Sequence, residues 1–206
     1  MTSSSASAQP SPETFVESWL ADTVTAETDP ILAALAPARE RAADLGVPGC
    51  SAAVGALLAG VARMLDARTA VEIGTGAGLS GLWLLSGMRE DAVLTTIDTD
   101  PEHQRAARAA FTDGAVATSR TRAINGRAGE VLPRLADDSY DLVFCDVDSP
   151  EQHRYVTEAV RLLRSGGALI VHGPARVDTH RVLTGDPALL PLALPLADGV
   201  VCAVKR

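Results

Sequence analysis

The sequence predicts an α/β fold in which helices precede a doubly wound, mostly parallel sheet that ends in an antiparallel hairpin. Short β-branched runs alternate with helical stretches after residue 67, and this alternation requires crossover connections between parallel strands. A glycine-rich turn follows the first apolar run, as it does where such sheets bind ligands. Two apolar runs on either side of Asp198-Gly199 close the chain, which is the pattern of a hairpin.

Five strands and four helices are predicted in the alternating part of the chain. The predicted strands are TAVEIG (69–74), AVLTTID (92–98), TRAIN (121–125), YDLVFCD (140–146) and GALIVH (167–172). The predicted helices are 79–88, 101–111, 129–135 and 151–164. A parallel sheet binds its ligand beyond the carboxyl ends of its strands, so residues that follow these strands are the first candidates for a site.

Length and composition predict one globular domain. The chain has 206 residues, of which 47% are apolar, so it can bury a sizeable core. We expect a disordered tail rich in Ser, Ala and Pro over residues 1–12, helices over 13–66 and the ligand-binding core over 67–206.

Local signals mark the starts of the helices before the sheet. Asp29-Pro30 is typical of an N-cap followed by proline in the first helical turn. Pro37 predicts a kink or a break into two helices. Ser51 can cap a further helix.

Charge and residue usage exclude several classes of function. The net charge is −8 and aromatic residues make up 3%, so a nucleic-acid partner is disfavoured. The three cysteines are far apart and form no CxxC motif, which is typical of a reducing cytoplasm. There is no secretory signal pattern and no membrane-spanning apolar run, so we expect a cytoplasmic protein without a membrane partner.

The most informative motif is VEIGTGAGLS at 71–80, which joins a predicted strand to a predicted helix. Glycines there let the backbone approach a ligand, and the helix N-terminus offers free N–H groups. Gly76, Gly78 and Gly81 fit the GxGxxG spacing of dinucleotide-binding proteins, and Asp98 lies where a ribose-binding acid is expected. An NAD-dependent enzyme is therefore one interpretation.

A second feature favours a different nucleoside. The first glycine after the strand is Gly74, and Glu72 lies two positions before it. A carboxylate at that place would repel the pyrophosphate of NAD, whereas it would attract the amino group of S-adenosylmethionine. The pattern E-x-G-x-G-x-G therefore favours S-adenosylmethionine over NAD.

Several motifs in order resemble one known family. They are VEIGTGAGLS (71–80), TIDTDPEH (96–103), GRAGEVLPRL (126–135), YDLVFCDVD (140–148) and the Ser-Gly-Gly run at 165–167. Over residues 30–172, and again at the hairpin, the chain resembles the cation-dependent O-methyltransferases, which include the catechol and caffeoyl-CoA enzymes. The resemblance implies the Rossmann-like class I methyltransferase fold, S-adenosylmethionine as methyl donor, and a homodimer formed through the N-terminal helices.

The resemblance also implies roles for individual residues. The methionine part of the donor is expected to contact the glycine turn and nearby polar groups, the ribose to contact Asp98, and the adenine to face the turn 126–128. The implied donor-binding residues are Cys50, Ser51, Glu72, Gly74, Thr75, Gly76, Gly78, Ser80, Asp98, Thr99, Arg127, Ala128, Asp146 and Asp148.

The sequence departs from the family at its metal site. The family holds Mg²⁺ with one Asp after the fourth strand and an Asp-Asn pair after the fifth, and hard oxygen ligands suit this ion. Asp146 matches the first ligand, but Gly173 and Pro174 replace the pair. The connection after His172 is also shorter than in the family, so a divalent metal is doubtful.

Three interpretations follow. The preferred one is a metal-independent O-methyltransferase that acts on a small phenolic or catechol-like hydroxyl, with His172 as general base and Asp146 as the second catalytic residue. In the second, Asp146, Asp148 and His172 hold a metal in a poorer site. In the third, the protein binds the donor without catalysis and is regulatory or structural. A hydroxylated tRNA base is an alternative acceptor, which the net charge disfavours.

The remaining histidines and large apolar residues are expected to have no role in the site. Three histidines are expected on solvated helix faces, namely His103, His153 and His180. Three large apolar residues are expected in the core, namely Met64, Trp83 and Met88.

Overall fold

The structure is a computed structural model that describes residues 29–174, 176–196 and 199–206. A sheet of seven strands runs in the order β3-β2-β1-β4-β5-β7-β6. β1 to β5 are parallel, and β7 pairs antiparallel with both β5 and β6. The predicted fold class, a doubly wound sheet closed by an antiparallel hairpin, is confirmed.

The strands and helices lie close to their predicted bounds. The strands are β1 (Thr69–Ile73), β2 (Val93–Asp98), β3 (Thr121–Asn125), β4 (Tyr140–Cys145), β5 (Leu163–His172), β6 (Leu189–Leu194) and β7 (Val200–Lys205). The helices are α1 (Pro30–Ala33), α2 (Leu35–Asp44), α3 (Ala52–Met64), α4 (Leu79–Gly87), α5 (Pro101–Asp113), α6 (Ala128–Val131), α7 (Gln152–Leu162) and α8 (Val177–Gly185). Short 3₁₀ turns follow α5 and α6, at Thr118–Arg120 and Leu132–Arg134.

The helices before the sheet begin where the capping signals predict. The Asp29 carboxylate accepts a hydrogen bond from the backbone N–H of Ile31 at 2.9 Å, and the Ser51 hydroxyl accepts one from Val54 at 3.3 Å. The expected break near Pro37 lies at Ala34, which separates α1 from α2. The tail predicted over 1–12 and the first part of the predicted helical region, residues 13–28, lie outside the described residues.

Two apolar layers cover the faces of the sheet. On one face α3, α4 and α5 pack over a core that includes Leu58, Leu82 and Leu142. On the other face α7 and α8 pack over a core that includes Val143 and Leu169. Side chains alternate between these faces along each strand, so Glu72 and its register partner Thr96 lie on the α4 side.

The hairpin completes the edge beside β5. β7 pairs with β5 over 168–172, and β6 pairs with the outer side of β7. Gly199 in the connecting turn has a φ of +109°, a conformation that glycine adopts without strain, and Asp198 lies outside the described residues. The short connection after β5 contains the helix α8. None of the helices described is long and apolar enough to cross a bilayer.

Candidate active site

A cleft of about 400 Å³ opens at the carboxyl ends of β1 and β4, where the direction of the strand order reverses. This reversal is the place at which open parallel sheets bind their ligands. The α2–α3 loop, the glycine turn and the loops after β2, β4 and β5 form its walls. The lining includes Ala42, Val47, Pro48, Gly49, Cys50, Gly74, Thr75, Gly76, Ala77, Leu79, Ser80, Asp98, His103, Asp146, Val147, Asp148, His172, Gly173 and Pro174.

The glycine turn after β1 forms the floor of the cleft. Gly74 has a φ of +95°, and a Cβ there would lie 2.4 Å from the carbonyl oxygen of Asp146. Only glycine therefore lets the β1 and β4 loops approach this closely. Gly76 has a φ of +49°, and the Val47 side chain lies over it, since a Cβ on Gly76 would be 3.4 Å from Val47 Cγ1. The α2–α3 loop thus covers the turn.

Gly78 has a packing role in this turn. It is the N-cap of α4 with a φ of +88°, and a Cβ there would lie 2.9 Å from the Cα of Ala107 in α5. It does not line the cleft, so its predicted contact with the donor has no support from its position. Ser51 is similar, because it caps α3 and lies outside the lining, whereas the adjacent Cys50 lines the cleft.

Glu72 lies completely buried beneath the glycine turn. Its carboxylate accepts hydrogen bonds from the hydroxyls of Ser80 and Thr96, both at 2.6 Å. Burial, opposed by these two hydrogen bonds and assisted by the carboxylates of Asp146 and Asp98, raises the pKa of Glu72 to about 7. Glu72 therefore reaches the cleft through Ser80, which lines it, rather than by facing it directly.

The hydrogen-bond network extends from Glu72 to α5. The hydroxyls of Thr75 and Thr96 lie 2.6 Å apart, and the Gln104 amide donates to Thr75 at 3.1 Å and to the carbonyl of Ile124 at 3.1 Å. Gln104 is buried and ties the glycine turn to β3. Sequence reasoning missed this residue, because a glutamine on an amphipathic helix carries no distinguishing signal.

Asp98 ends β2 and lines the cleft as predicted. Its carboxylate accepts hydrogen bonds from the backbone N–H groups of Gly76 at 3.0 Å and Asp100 at 2.9 Å. The His103 imidazole lies 3.3 Å from the same carboxylate. The expectation that His103 lies on a solvated helix face is wrong: it is a wall of the cleft, because α5 begins directly after the strand that carries Asp98.

A second hollow of about 320 Å³ adjoins the cleft and shares Gly74, Asp98 and Val147 with it. Its lining also includes the predicted residues Thr99, Arg127 and Ala128, together with Gly126, Ser149 and Tyr155. Asp98 therefore lies between the two spaces, as a ribose-binding acid between a methionine site and an adenine site would.

Asp146 and His172 face each other across the ends of β4 and β5. The His172 Nδ1 lies 2.9 Å from Asp146 Oδ1, and the two side chains are 12% and 29% exposed. The backbone N–H of Asp146 donates to the carbonyl of Ile73, which fixes the start of this loop beside β1. A carboxylate that accepts from Nδ1–H favours the imidazole tautomer with its lone pair on Nε2.

The donor set of the family's magnesium site is incomplete. Gly173 and Pro174 stand where the resemblance predicts two ligands, and neither side chain has an oxygen. Across the described ranges, no group of three or more His, Cys, Asp or Glu side chains is arranged to hold a metal ion. The residues present therefore do not fit that site, although Asp146 occupies the predicted position of its first ligand.

Asp148 lies at the mouth of the cleft. It forms an ion pair with Arg176 at the start of α8, which connects the loop after β4 to the loop after β5. Neither Asp146 nor Asp148 caps α7: Glu151 is its N-cap, and the Ser149 hydroxyl accepts from the Glu151 N–H at 3.1 Å. Both aspartates are thus left to face the cleft.

Comparison with known proteins identifies the family. A methyltransferase-domain family model matches residues 71–173, which include the glycine turn, Asp98, Asp146 and His172. A relative from Mycobacterium sp. (strain KMS), named as a candidate O-methyltransferase, is 52% identical over 190 residues, covering 84% of this chain and 86% of that protein.

Solved structures agree in fold. A protein from Corynebacterium glutamicum is 32% identical with a TM-score of 0.80, covering 94% of this chain and 96% of its own. The O-methyltransferase TomG from Streptomyces achromogenes, solved with bound S-adenosylmethionine, has a TM-score of 0.82 at 24% identity, with coverage of 94% and 96%. The chain therefore belongs to the methyltransferase family and, within it, to the O-methyltransferases.

Proposed function

We propose that this protein transfers the methyl group of S-adenosylmethionine to the hydroxyl of a small phenolic or catechol-like acceptor, without the divalent metal of the resembled family. The observation that carries the proposal is the 2.9 Å contact between His172 and Asp146 at the edge of a cleft whose floor is the glycine turn. A histidine that could act as general base thus lies beside a cleft that could hold a nucleoside.

The two adjoining spaces suit the two ends of the donor. Asp98 would accept hydrogen bonds from the ribose hydroxyls, and the hollow beside Arg127 and Ala128 would receive the adenine. Cys50 and Ser80 would face the methionine end. The solved S. achromogenes enzyme of the same fold holds S-adenosylmethionine, which supports this donor.

The charge of the cleft favours a cationic donor over a dinucleotide. Asp98, Asp146 and Asp148 line it, and Glu72 lies beneath it. A sulfonium with an ammonium group is attracted by these carboxylates, whereas the two negative charges of a pyrophosphate are repelled.

The chemistry requires the acceptor oxygen to lose a proton as it attacks. When bound, the donor supplies an electrophilic methyl group, and its sulfur keeps the electron pair of the broken carbon–sulfur bond. Nε2 of His172 would take the hydroxyl proton while Asp146 stabilises the resulting imidazolium, and water would later remove that proton. The α2–α3 loop and Pro174 would hold the acceptor in line with the methyl group.

A labelled-donor assay tests this proposal. The wild-type protein is incubated with methyl-labelled S-adenosylmethionine and a panel of catechols and flavonoids, with and without EDTA. We expect transfer that EDTA leaves unchanged, and a loss of at least about 100-fold in kcat for His172→Ala with little change in donor affinity. Abolition by EDTA would refute the metal-free mechanism, and undiminished turnover by His172→Ala would refute the proposed base.

A second measurement on the same preparation tests the alternative that the protein binds the donor without catalysis. Calorimetry with S-adenosylhomocysteine on the same preparation reports donor binding independently of turnover. Binding without transfer to any phenol would overturn the proposed activity and leave the donor assignment intact.

A further inference from the structure

We infer that the cleft selects acceptors that are uncharged or cationic and rejects acceptors that carry a carboxylate or phosphate near the reacting hydroxyl. This inference rests on the proposed function, because it concerns the acceptor side of the same site. It predicts that simple catechols and phenolic amines are accepted, whereas phenolic acids and acyl-CoA thioesters are rejected.

Acidic side chains dominate the charge of the cleft. Three carboxylates line it, those of Asp98, Asp146 and Asp148, and among its lining residues in the described ranges there is neither Lys nor Arg. The charge of Arg176, at the mouth, is balanced by Asp148. An anionic substituent inside the cleft would therefore meet unbalanced negative charge.

Two of the acids act across the cleft. Burial, with smaller contributions from the charges of Asp146 and Glu72, raises the pKa of the Cys50 thiol to about 12. The charge of Arg39 opposes this rise in pKa. Cys50 lies on the α2–α3 loop, opposite the strand ends that carry the acids. The charges at the sheet edge thus act on the wall against which an acceptor would pack.

Part of the cleft wall is apolar. Val47, Pro48, Val147 and Pro174 are among the lining residues. They suit the faces of a flat ring, but they provide no donor to a carboxylate taken out of water. A carboxylate held against these four residues would lose solvation that they do not replace.

The reaction itself adds to this selection. A bound donor carries a net charge of +1, which leaves the three lining carboxylates and Arg176 with a residual negative charge. The acceptor oxygen also becomes more negative as its proton moves to His172. A fixed anion on the acceptor would therefore be repelled both on binding and in the transition state.

Calorimetry on the complex with S-adenosylhomocysteine tests the inference without requiring turnover. The probes are three catechols that differ in one substituent at the same ring position: 2-aminoethyl, ethyl and 2-carboxyethyl. We expect the carboxylate to bind about 30-fold more weakly than the ethyl compound, the size of one like-charge repulsion about 8 Å apart at an effective dielectric of about 20. The amine should bind at least as tightly as the ethyl compound.

Two variants provide a matched comparison. Asp148→Asn removes one lining charge and releases Arg176, so the penalty for the carboxylate should fall by about tenfold. Asp91→Asn removes an exposed acid that precedes β2, at the amino ends of the parallel strands. It should leave the ratio of the ethyl and carboxylate affinities unchanged.

The results separate this inference from the proposed function. Failure of the wild-type protein to bind S-adenosylhomocysteine would overturn the proposed function. Normal binding of S-adenosylhomocysteine, with the carboxylate as tight as the ethyl compound or with an unchanged ratio in Asp148→Asn, would overturn this inference alone. Normal binding of S-adenosylhomocysteine with none of the three catechols bound would overturn both this inference and the proposed catechol-like acceptor.

Discussion

The buried carboxyl of Glu72 predicts an unusual dependence of stability on pH. Its pKa is about 7 in the folded protein, mainly because it is buried, against a usual value of 4.5. The folded state therefore retains a proton that the unfolded chain releases. The stabilisation by this proton is complete below pH 4.5 and is lost as the pH rises to about 7.

The size of the effect follows from these two values. The interval from 4.5 to about 7 corresponds to about 3 kcal/mol, since each pKa unit is worth about 1.4 kcal/mol. About 2–3 kcal/mol of this falls between pH 5 and pH 8. Glu72 has no exposed surface, so solvent does not weaken this effect.

Glu72→Gln isolates the contribution, because it keeps the side-chain volume and removes the titration. Urea unfolding of the wild type and the variant at pH 5, 6, 7 and 8 gives the difference in their unfolding free energies. The wild type should lose about 2–3 kcal/mol relative to Glu72→Gln over this range. A difference that stays constant within about 0.5 kcal/mol would mean that Glu72 titrates normally, and would refute the reasoning.

Further predictions concern stability elsewhere in the fold. Burial alone would raise the pKa of Asp141. Three hydrogen bonds lower it instead: one from a backbone N–H just before β1, one from the backbone N–H of the first residue of β1, and one from a neighbouring arginine. Asp141→Asn should cost about 1–3 kcal/mol in urea unfolding at pH 7, and this cost should shrink as the pH falls below 3.8 and through the lowered pKa of the wild-type carboxyl. Gly87→Ala should lower the unfolding free energy by about 2–3 kcal/mol, because its Cβ would lie 2.1 Å from the Ala59 carbonyl oxygen. A Cβ added at Gly60 would have no neighbouring atom within 4 Å, so Gly60→Ala should raise the unfolding free energy by about 0.5–1 kcal/mol in the same measurement.

Features encoded within a few residues were predictable from the sequence. The helix starts at Asp29 and Ser51 depend on side chains that bond to the next turn. The glycine turn follows from the need for positive φ at Gly74, and Asp98 and Asp146 were placed at the sheet edge because parallel strands end together.

Features that depend on how distant elements pack were not predictable. Asp146 and His172 are 26 positions apart, and the sequence placed both at the same edge of the sheet but did not show that the carboxylate and the imidazole are in hydrogen-bond contact. Nothing in the sequence indicates the ion pair between Asp148 and Arg176. Met64 was expected in the core and is 78% exposed, because it lies at the last turn of α3, beyond the helices that cover that face. Apolarity alone does not show which face of a helix end is covered.

The central claim is that the cleft binds the adenosyl part of the methyl donor through Asp98. Isothermal titration of S-adenosylhomocysteine into the wild-type protein and Asp98→Asn tests it most directly. We expect one ligand per chain, with affinity reduced about 10- to 100-fold in the variant, which loses a charged acceptor for the ribose hydroxyls. Equal affinity in the two proteins, or binding of NAD in place of S-adenosylhomocysteine, would contradict the claim.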